Sequence, residues 1–365
     1  MIGILNYLFS APLPANLPSV ALAPATPTPS PTPAPPTPTP ESAEPYLARG
    51  DAALRAGRWT EAVDAYRAAL RIQPTLVSAQ ARLARALVQL NKLNEALEQA
   101  RRATEADPRN AEAQAVLAYA SDWSGNYDAA LVAGRRAVEL DPKLVEAHAF
   151  LAEAYADKYL LKEADEAIAR AAALDPEHPE VLRVRGWILE TKADYAGAVQ
   201  AYQKAIERAP GHSHLHLALG NVLRTLKQYE AAIRAYRKAE ELSPTDPRPP
   251  YGVGRVYHLQ EEYPLAVAEF KRAIELDPTY APAYAQLGWV YYVQKLYGEA
   301  QPYFEKAVAL EQDRLKLAQY RHALGWIYLN AKRCADAKAE FTRALDLDPN
   351  LQGARDGLNV IGGQC

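Results

Sequence analysis

Apolar residues recur along most of this chain at a fixed step of 34 residues. Within one step, Leu219 and Leu223 are four residues apart, as are Ala232 and Tyr236, so each pair lies on one face of a helix. A polar break at residues 227–228 separates the two faces. The pattern therefore predicts two antiparallel helices joined by a short turn in every step.

Single small residues and prolines keep the same phase over the whole pattern. An alanine marks eight successive second helices, and a proline ends seven of them, because proline lacks an N–H and forces its predecessor out of the α region. The alanines are Ala62, Ala96, Ala130, Ala164, Ala198, Ala232, Ala266 and Ala300, and the prolines are Pro74, Pro108, Pro142, Pro176, Pro210, Pro244 and Pro278. Self-similarity at one period indicates a repeat protein.

These positions resemble the tetratricopeptide repeat, whose signature is W-x2-L-G-x2-Y, then A-x3-F, then P. In residues 281–314 the final proline is replaced by Gln312, and the rest of the motif is carried by Tyr284, Leu287, Gly288, Tyr291, Ala300 and Phe304. The resemblance implies an all-α fold, a right-handed superhelical solenoid of nine tetratricopeptide-like helix pairs. We assign the solenoid to residues 46–351 and a C-terminal capping helix to residues 352–365.

The first 45 residues have a different composition. Residues 1–23 are apolar and uncharged, and Ala21-Leu22-Ala23 has the small-x-small form of a signal-peptide cleavage site, although a basic start is missing. Residues 24–45 are rich in proline and threonine, which predicts a disordered stalk or linker. We therefore expect an exported, extracytoplasmic protein. A cytoplasmic protein with a disordered apolar tail is the alternative.

Composition and motifs argue against several classes of function. The net charge of −3 and the isoelectric point near 6.2 give no reason to expect nucleic acid or an anionic membrane as a partner. No integral membrane segment is predicted. Phosphate loops and the HExxH, GxSxG and CxxC motifs are absent from the sequence, so we expect no enzyme, no cofactor and no metal. His212, His214 and His216 are close together, but no carboxylate or cysteine lies at ligand spacing beside them.

The resemblance also implies where a partner binds, because first helices of this family line a concave groove. Carried over by position, acidic side chains gather in residues 111–212 and arginines in residues 179–280, flanked by aromatic rings. Aromatic residues and arginine dominate binding hot spots. The predicted partner-binding set is Trp123, Arg183, Trp187, Asn221, Arg224, Tyr251, Arg255, Trp289, Tyr292 and Trp326. Alternatively, the rings only cover the packing seam between successive first helices.

From this set we predict a non-enzymatic protein–protein interaction scaffold that binds a partner protein or extended peptide in the concave groove. Two alternatives stay open. One is a structural solenoid that self-assembles, and the other is the regulatory arm of a multi-protein enzyme complex. The sequence leaves the oligomeric state undetermined.

The two cysteines, Cys334 and Cys365, form a predicted disulfide bond. In the geometry of the family, the capping helix runs antiparallel to the preceding helix and returns Cys365 toward Cys334. Such a bond persists only in an oxidising compartment, which agrees with export. The alternative is two unrelated thiols.

The repeat phase predicts opposite outcomes for two leucine substitutions. Ala232→Leu inserts bulk where two helices touch and should lower the free energy of unfolding by about 1–3 kcal/mol. Lys238→Leu lies on the exposed side and should be nearly silent. Thermal unfolding of both variants checks the expectation, and equal losses would show that the phase is wrong.

Overall fold

The computed structural model describes residues 42–364. These residues form nineteen α-helices, arranged as nine antiparallel pairs and a final single helix. We number the repeats by helix pair, so that repeat 1 contains α1 and α2 and repeat 9 contains α17 and α18. Each pair packs on its neighbours, and the pairs stack into a right-handed superhelix.

The first helices of the repeats are α1 Glu44–Arg55, α3 Val77–Gln89, α5 Ala111–Trp123, α7 Val145–Asp157, α9 Pro179–Thr191, α11 Ser213–Thr225, α13 Arg248–Leu259, α15 Ala281–Val293 and α17 Arg314–Asn330. The second helices are α2 Trp59–Ile72, α4 Leu93–Ala106, α6 Tyr127–Leu140, α8 Leu161–Leu174, α10 Tyr195–Arg208, α12 Tyr229–Leu242, α14 Tyr263–Leu276, α16 Tyr297–Leu310 and α18 Cys334–Leu347. The final helix is α19 Gln352–Gln364.

One residue of left-handed backbone joins the two helices of every repeat. This residue has a positive φ in all nine repeats of the described chain, which lets the chain reverse direction within three residues. Glycine adopts such a φ without steric cost, whereas other residues do so with strain. The nine are Gly57, Asn91, Gly125, Tyr159, Ala193, Lys227, Glu261, Lys295 and Lys332.

The Asp-Pro sequence shapes the turn between successive repeats. In the first of these turns, Asp107 Oδ1 accepts a hydrogen bond of 3.0 Å from the backbone N–H of Arg109. Asp141, Asp175 and Asp277 make the same contact two residues ahead. The carboxylate thus fixes the turn in which the proline ends the helix.

The two helices of a repeat touch through complementary volumes. Where the first helix has a glycine, the second has an aromatic ring against it: a Cβ on Gly288 would lie 2.9 Å from the Phe304 ring. Repeat 3 has Ala118 in the glycine position, and the ring is replaced by Gly134. There the side chain of Leu151 from α7 lies against Gly134, at 3.1 Å from a Cβ placed on it, so a large residue of the next repeat fills the space beside the small one.

A long-range contact closes one turn of the superhelix. The turn after α1 meets the turn before α11, and the backbones approach so closely that a Cβ on Gly57 would lie 2.1 Å from the carbonyl oxygen of Gly211. The ring of Trp59 packs 4.8 Å from that of His212 and 5.7 Å from that of His214. Trp59 is only 5% exposed, so this contact is part of the core.

Two hydrogen bonds strengthen the same closure. His212 Nε2 donates to the carbonyl oxygen of Arg55 over 3.2 Å. The second bond joins the next repeat on each side: Arg248 Nη2 at the start of repeat 7 donates to the carbonyl oxygen of Gln89 in repeat 2 over 2.7 Å. Repeats 1 and 2 therefore contact the start of repeats 6 and 7, although 157 and 159 residues separate the bonded pairs in the chain.

The predicted fold is confirmed, with nine helix pairs and a final helix that covers the last pair. Ala354 of α19 is buried against Phe341 of α18. None of the helices in residues 42–364 is long and apolar enough to cross a membrane. Residues 1–41 and Cys365 lie outside the described residues, so the export signal, the stalk and the Cys334–Cys365 bond stay predictions.

The closure predicts different costs for the same substitution at two equivalent turns. Gly57 and Gly125 both have a φ above +70°, but nothing lies within 4 Å of a Cβ on Gly125. Gly125→Ala should cost only the left-handed penalty, about 1 kcal/mol. Gly57→Ala adds a backbone clash and should cost about 3 kcal/mol or more.

Thermal unfolding measures the two costs, and small-angle scattering measures the shape. Gly57→Ala should also increase the radius of gyration, because the closed turn of the superhelix opens. Equal unfolding temperatures and equal radii for the two variants would contradict a closing contact at Gly57.

Candidate partner-binding cavity

Closing the superhelix brings concave side chains of repeats 2 to 5 together around its axis. Arg183 of α9 lies at the centre, 5% exposed. Its Nη1 and Nη2 donate to the two oxygens of Glu153 on α7 over 2.7 and 2.6 Å, and its Nε donates to Glu180 over 2.6 Å. This bidentate geometry is the strong form of an arginine–carboxylate pair.

A second arginine enters the same network from the opposite wall. Arg85 of α3 donates to Glu180 over 3.2 Å and to Glu146 over 3.4 Å. Burial alone would raise the pKa of Glu180, but Arg183 and Arg85 outweigh it and hold that pKa below its usual range. In the same way His178 and Arg85 overcome burial and lower the pKa of Glu146 to about 2. These carboxylates are ionised and matched by basic partners.

A cavity of about 430 Å³ lies beside this network on the concave side. Four aromatic rings line it, those of Trp123, Tyr127, Trp187 and Tyr202. The indole Nε1 of Trp187 donates to Asp157 Oδ1 over 2.8 Å, which fixes the ring against the wall.

Four carboxyl groups also line the cavity, Asp122, Glu153, Asp157 and Glu190. Asp122 is 3% exposed, both of its carboxyl oxygens are shielded from solvent, and its protonated carboxyl donates a hydrogen bond to that of Asp157. Burial, together with the charges of Glu153 and Asp157, raises the pKa of Asp122 to about 10. Burial and Glu153 raise the pKa of Asp157 to about 6, and burial raises that of Glu190 to about 7. At pH 7 Asp122 is therefore neutral, and Glu190 is neutral in part.

The structure brings four of the ten predicted partner-binding residues to this cavity. Trp123, Arg183, Trp187 and Asn221 line it together. Arg183 is engaged by Glu153 and Glu180, and Asn221 Oδ1 accepts a hydrogen bond of 2.8 Å from a tyrosine hydroxyl of its own repeat. The two tryptophans are the half-buried rings of this set.

Three more predicted residues lie on the next two first helices. The Nε of Arg224 is buried and has no hydrogen-bond partner in the described chain. Arg255 lies over the ring of Tyr251, 5.8 Å from its centroid. The ring of Tyr251 also packs edge-on against Tyr280, 5.4 Å away. This group forms an aromatic and basic surface that follows the acidic cavity along the chain.

The last three predicted residues are engaged in packing within their own repeats. Trp289 packs edge-on against Phe304 and against Tyr292. Trp326 Nε1 donates to His322 Nε2 over 2.8 Å, and its ring lies 5.5 Å from that of Phe341. All three keep part of their surface exposed.

Sequence reasoning missed Tyr127 and Tyr202, which line the cavity from second helices. It also missed Trp59 and Gly211 of the closing contact, although their departure from the repeat pattern could have revealed them. Trp59 is the one tryptophan, and Gly211 the one glycine, at their repeat positions in the sequence. A residue that departs from the repeat pattern is free to serve a contact outside it.

The three clustered histidines take separate structural roles. His212 and His214 are buried in the closure, and burial lowers the pKa of both. His216 points elsewhere, and its Nε2 contacts the carbonyl oxygen of Pro210 over 3.3 Å. Among residues 42–364, no group of three or more potential ligands is arranged to hold a metal ion.

Family models agree with this architecture along most of the described chain. Models described as tetratricopeptide repeat match residues 53–118, 124–188, 185–247, 281–314 and 318–351, and one described as TPR repeat matches residues 254–295. None of the curated proteins matches the sequence.

Solved structures share the fold at low sequence identity. A chain of the APC/C hetero-tetramer Cut9–Hcn1 is 19% identical with a TM-score of 0.62; the match covers 82% of this chain and 59% of that one. The human IFIT1 dimer with PPP-AAAA is 19% identical with a TM-score of 0.62, and the match covers 87% and 81%. Yeast Tom70 is 14% identical with a TM-score of 0.56, and 88% of each chain is covered. At these identities the likeness concerns the fold alone.

Two carboxyl groups near the axis should respond oppositely when they are made neutral. Between about pH 4 and pH 10, Asp122 is protonated in the folded chain and ionised in the unfolded chain, because folding raises its pKa. Asp122→Asn removes this difference. The stability that this proton provides is therefore lost as the pH rises through that window. The variant should be more stable than the unchanged chain at pH 8, by about 1–3 kcal/mol, and the difference should narrow toward pH 5.

Glu180→Gln is the matched comparison, because Glu180 is equally buried but paired with two arginines. Its removal leaves Arg85 and Arg183 short of a partner and should cost about 3–5 kcal/mol at pH 7. Thermal unfolding at pH 5 and pH 8 measures both variants. A destabilised Asp122→Asn at pH 8 would show that the carboxylate of Asp122 is compensated in the folded chain.

Proposed function

The chain belongs to the tetratricopeptide repeat family, and from that premise we propose that it is a non-enzymatic scaffold that binds an extended segment of a partner protein. The segment lies on the concave side of the superhelix, from the cavity between repeats 3 and 6 toward repeat 9. The observation that carries the proposal is the cavity, where concave side chains leave about 430 Å³ open beside two half-buried tryptophans. Pockets with aromatic walls and a few polar groups are typical binding sites.

Accessible rings continue from the cavity along the first helices of later repeats. Tyr251, Trp289, Tyr292 and Trp326 lie on α13, α15 and α17 and keep part of their surface exposed. Rings of this kind contribute large contact area at a small cost in conformational entropy. An extended segment that follows the concave side would meet them in succession.

The charges along this path support a ligand with a defined direction. The cavity presents carboxyl groups, whereas Arg224 and Arg255, one and two repeats later, form no ion pair within the described residues. Electrostatic complementarity of this kind fixes orientation more than it adds affinity. A segment with one basic and one acidic part would bind in one direction only, with its basic part in the cavity and its acidic part at the arginines.

The same charges argue for protein over nucleic acid. One solved structure of this fold is the human IFIT1 dimer with PPP-AAAA. The cavity of this chain is lined by four carboxyl groups, and both of its arginines are engaged by carboxylates, Arg183 by Glu153 and Arg248 by Asp246. An anionic backbone would be repelled there.

Selection from a displayed library of random peptides against the full chain tests the proposal without a known partner. We expect enriched peptides that compete with one another and lose at least about 30-fold in affinity on Trp187→Ala or Trp289→Ala, as hot-spot residues do. The matched control is Val132→Ala, which removes an apolar side chain that is 72% exposed on a second helix and should leave affinity unchanged.

Equal affinities for all three variants would place binding outside the concave side and refute the proposal. Light scattering on the same samples distinguishes the scaffold from the main alternative, a solenoid that self-assembles. A chain that forms oligomers at micromolar concentration, and whose oligomers are broken by Trp289→Ala, would be a self-assembling solenoid.

A further inference from the structure

Two imidazole rings lie at the centre of the contact that closes the superhelix. The rings of His212 and His214 are 5.4 Å apart, and both pack against the ring of Trp59 in repeat 1. The two histidines are only 8% and 6% exposed. Beside them, the backbones of Gly57 and Gly211 approach too closely to admit a Cβ. A charge on either ring would therefore arise inside the contact that joins repeat 1 to repeat 6.

His214 has no hydrogen bond with which to hold a second proton. Both of its ring nitrogens are buried, and neither has a hydrogen-bond partner within residues 42–364. A neutral imidazole carries one N–H group, whereas an imidazolium carries two and no longer accepts. A buried charge without partners is strongly disfavoured, because it loses its hydration and gains nothing in return. The closed contact therefore accommodates the neutral ring of His214 and not the charged one.

The charged groups that face His214 add to this penalty. Burial has the largest effect on the pKa of His214, and the pKa lies well below its usual range. The charges of His212, Arg183 on α9 and Arg248 on α13 lower it as well, and Glu180 on α9 acts in the opposite direction. Glu180 is already bound by Arg183 over 2.6 Å, so it does not balance a further positive charge.

His212 is the less sensitive of the two rings. Burial lowers its pKa, and Arg85 acts in the same direction, but Glu180 and two backbone carbonyl groups at the end of α1 act against them. One of these carbonyl groups accepts the hydrogen bond from His212 Nε2. A protonated His212 would thus keep part of its stabilisation, and the response of the contact to protons rests mainly on His214.

We propose that the closing contact is a proton-operated switch, in which uptake of a proton by His214 separates repeat 1 from repeat 6 and opens the superhelix. The helix pairs would stay folded, because they bury rings of their own, as Phe304 is buried against Gly288. His214 and Arg248 also line the cavity, so opening the contact would change the proposed binding site as well. The switch itself does not depend on which partner binds there.

Proton linkage gives the direction and the size of the effect. In the open form His214 is hydrated and has an ordinary imidazole pKa of about 6.5. The open form then binds more protons, so the stability of the closure is fully present above about pH 6.5 and is lost as the pH falls below it. Each pH unit below about pH 6.5 shifts the equilibrium about tenfold toward the open form.

Two carboxyl groups of the cavity titrate in the same range with the opposite effect. Burial raises the pKa of Asp157 to about 6 and that of Glu190 to about 7, so their protonation favours the form in which they are buried. Both groups are kept in a variant that lacks only the imidazole of His214. The difference between that variant and the unchanged chain therefore reports on His214 alone.

Small-angle scattering and circular dichroism of the full chain, at pH 7.5 and pH 4.5, measure the opening and the helix content. We expect the radius of gyration to increase at pH 4.5 without loss of the helical signal, and to return when the pH is restored. The two pH units below about pH 6.5 correspond to a shift of about 100-fold toward the open form. Gly57→Ala supplies the radius of the open form, because its backbone clash opposes closure at both pH values.

The key variant is His214→Leu, which keeps a side chain of similar size in the contact and takes up no proton. Its radius at pH 4.5 should equal its radius at pH 7.5. His216→Leu is the matched control, because His216 lies on the same helix outside the contact, with its Nε2 at the carbonyl oxygen of Pro210. This control should open in acid as the unchanged chain does.

Proton NMR of the histidine rings in the unchanged chain is a second measurement that does not require His214→Leu to fold. His214 should become protonated over the pH range in which the radius increases. An unchanged radius at pH 4.5, an equal increase in His214→Leu, or an increase while His214 stays neutral would overturn the inference. A parallel loss of helical signal would overturn it too, since it would show acid unfolding of the repeats. These measurements contain no ligand, so the switch and the scaffold function can fail separately.

Discussion

The contact between the turns at Gly57 and Gly211 is the constraint on which the interior of this superhelix depends. Stacked repeats contact only their neighbours and leave the width of the superhelix to small rotations that accumulate. Here two backbones without side chains meet, and Trp59 packs beside them against two histidines. Because the contact joins repeat 1 to the start of repeat 6, it fixes the rotation of every repeat between them. Concave side chains that a wider solenoid would expose to water therefore share one narrow axis.

The narrow axis changes the electrostatics of ordinary repeat residues. Glu180 and Arg183 occupy positions that face solvent in an open groove, yet they are 3% and 5% exposed. Their desolvation is offset by paired geometry, with Arg183 bridging two glutamates. Asp122 lies in the same environment without a basic partner in the described chain. Its raised pKa keeps it neutral at pH 7, and it donates a hydrogen bond to Asp157. Along this narrow axis an acid is therefore either paired with an arginine or held protonated by its surroundings.

The sequence predicted what the repeat itself encodes and missed what lies outside the repeat. The 34-residue period located the helix pairs, the Asp-Pro turns and the concave positions, because each depends on neighbours within about one repeat. It could not locate the cavity, since Trp123 and Trp187, two repeats apart, line the same space only after several small rotations add up. Nor could it assign Trp59, whose partners lie about 154 residues away. Trp289 and Trp326 pack on a ring of their own repeat and stay partly exposed, and their role in binding stays a prediction.

The division of charge along the concave side has a consequence for how a partner would be held. A net charge of −3 gives no hint of it, since acids and arginines nearly cancel over the whole chain. Locally they are separated: Asp157 and Glu190 line the cavity without an ion pair in the described chain, and Arg224 on α11 has a buried Nε without an acceptor there. A segment with a basic part and an acidic part would supply the missing opposite charge at both places. A segment in the reverse direction would bring like charges together at both sites. Specificity for direction would then come from the unpaired groups, and affinity from the rings between them.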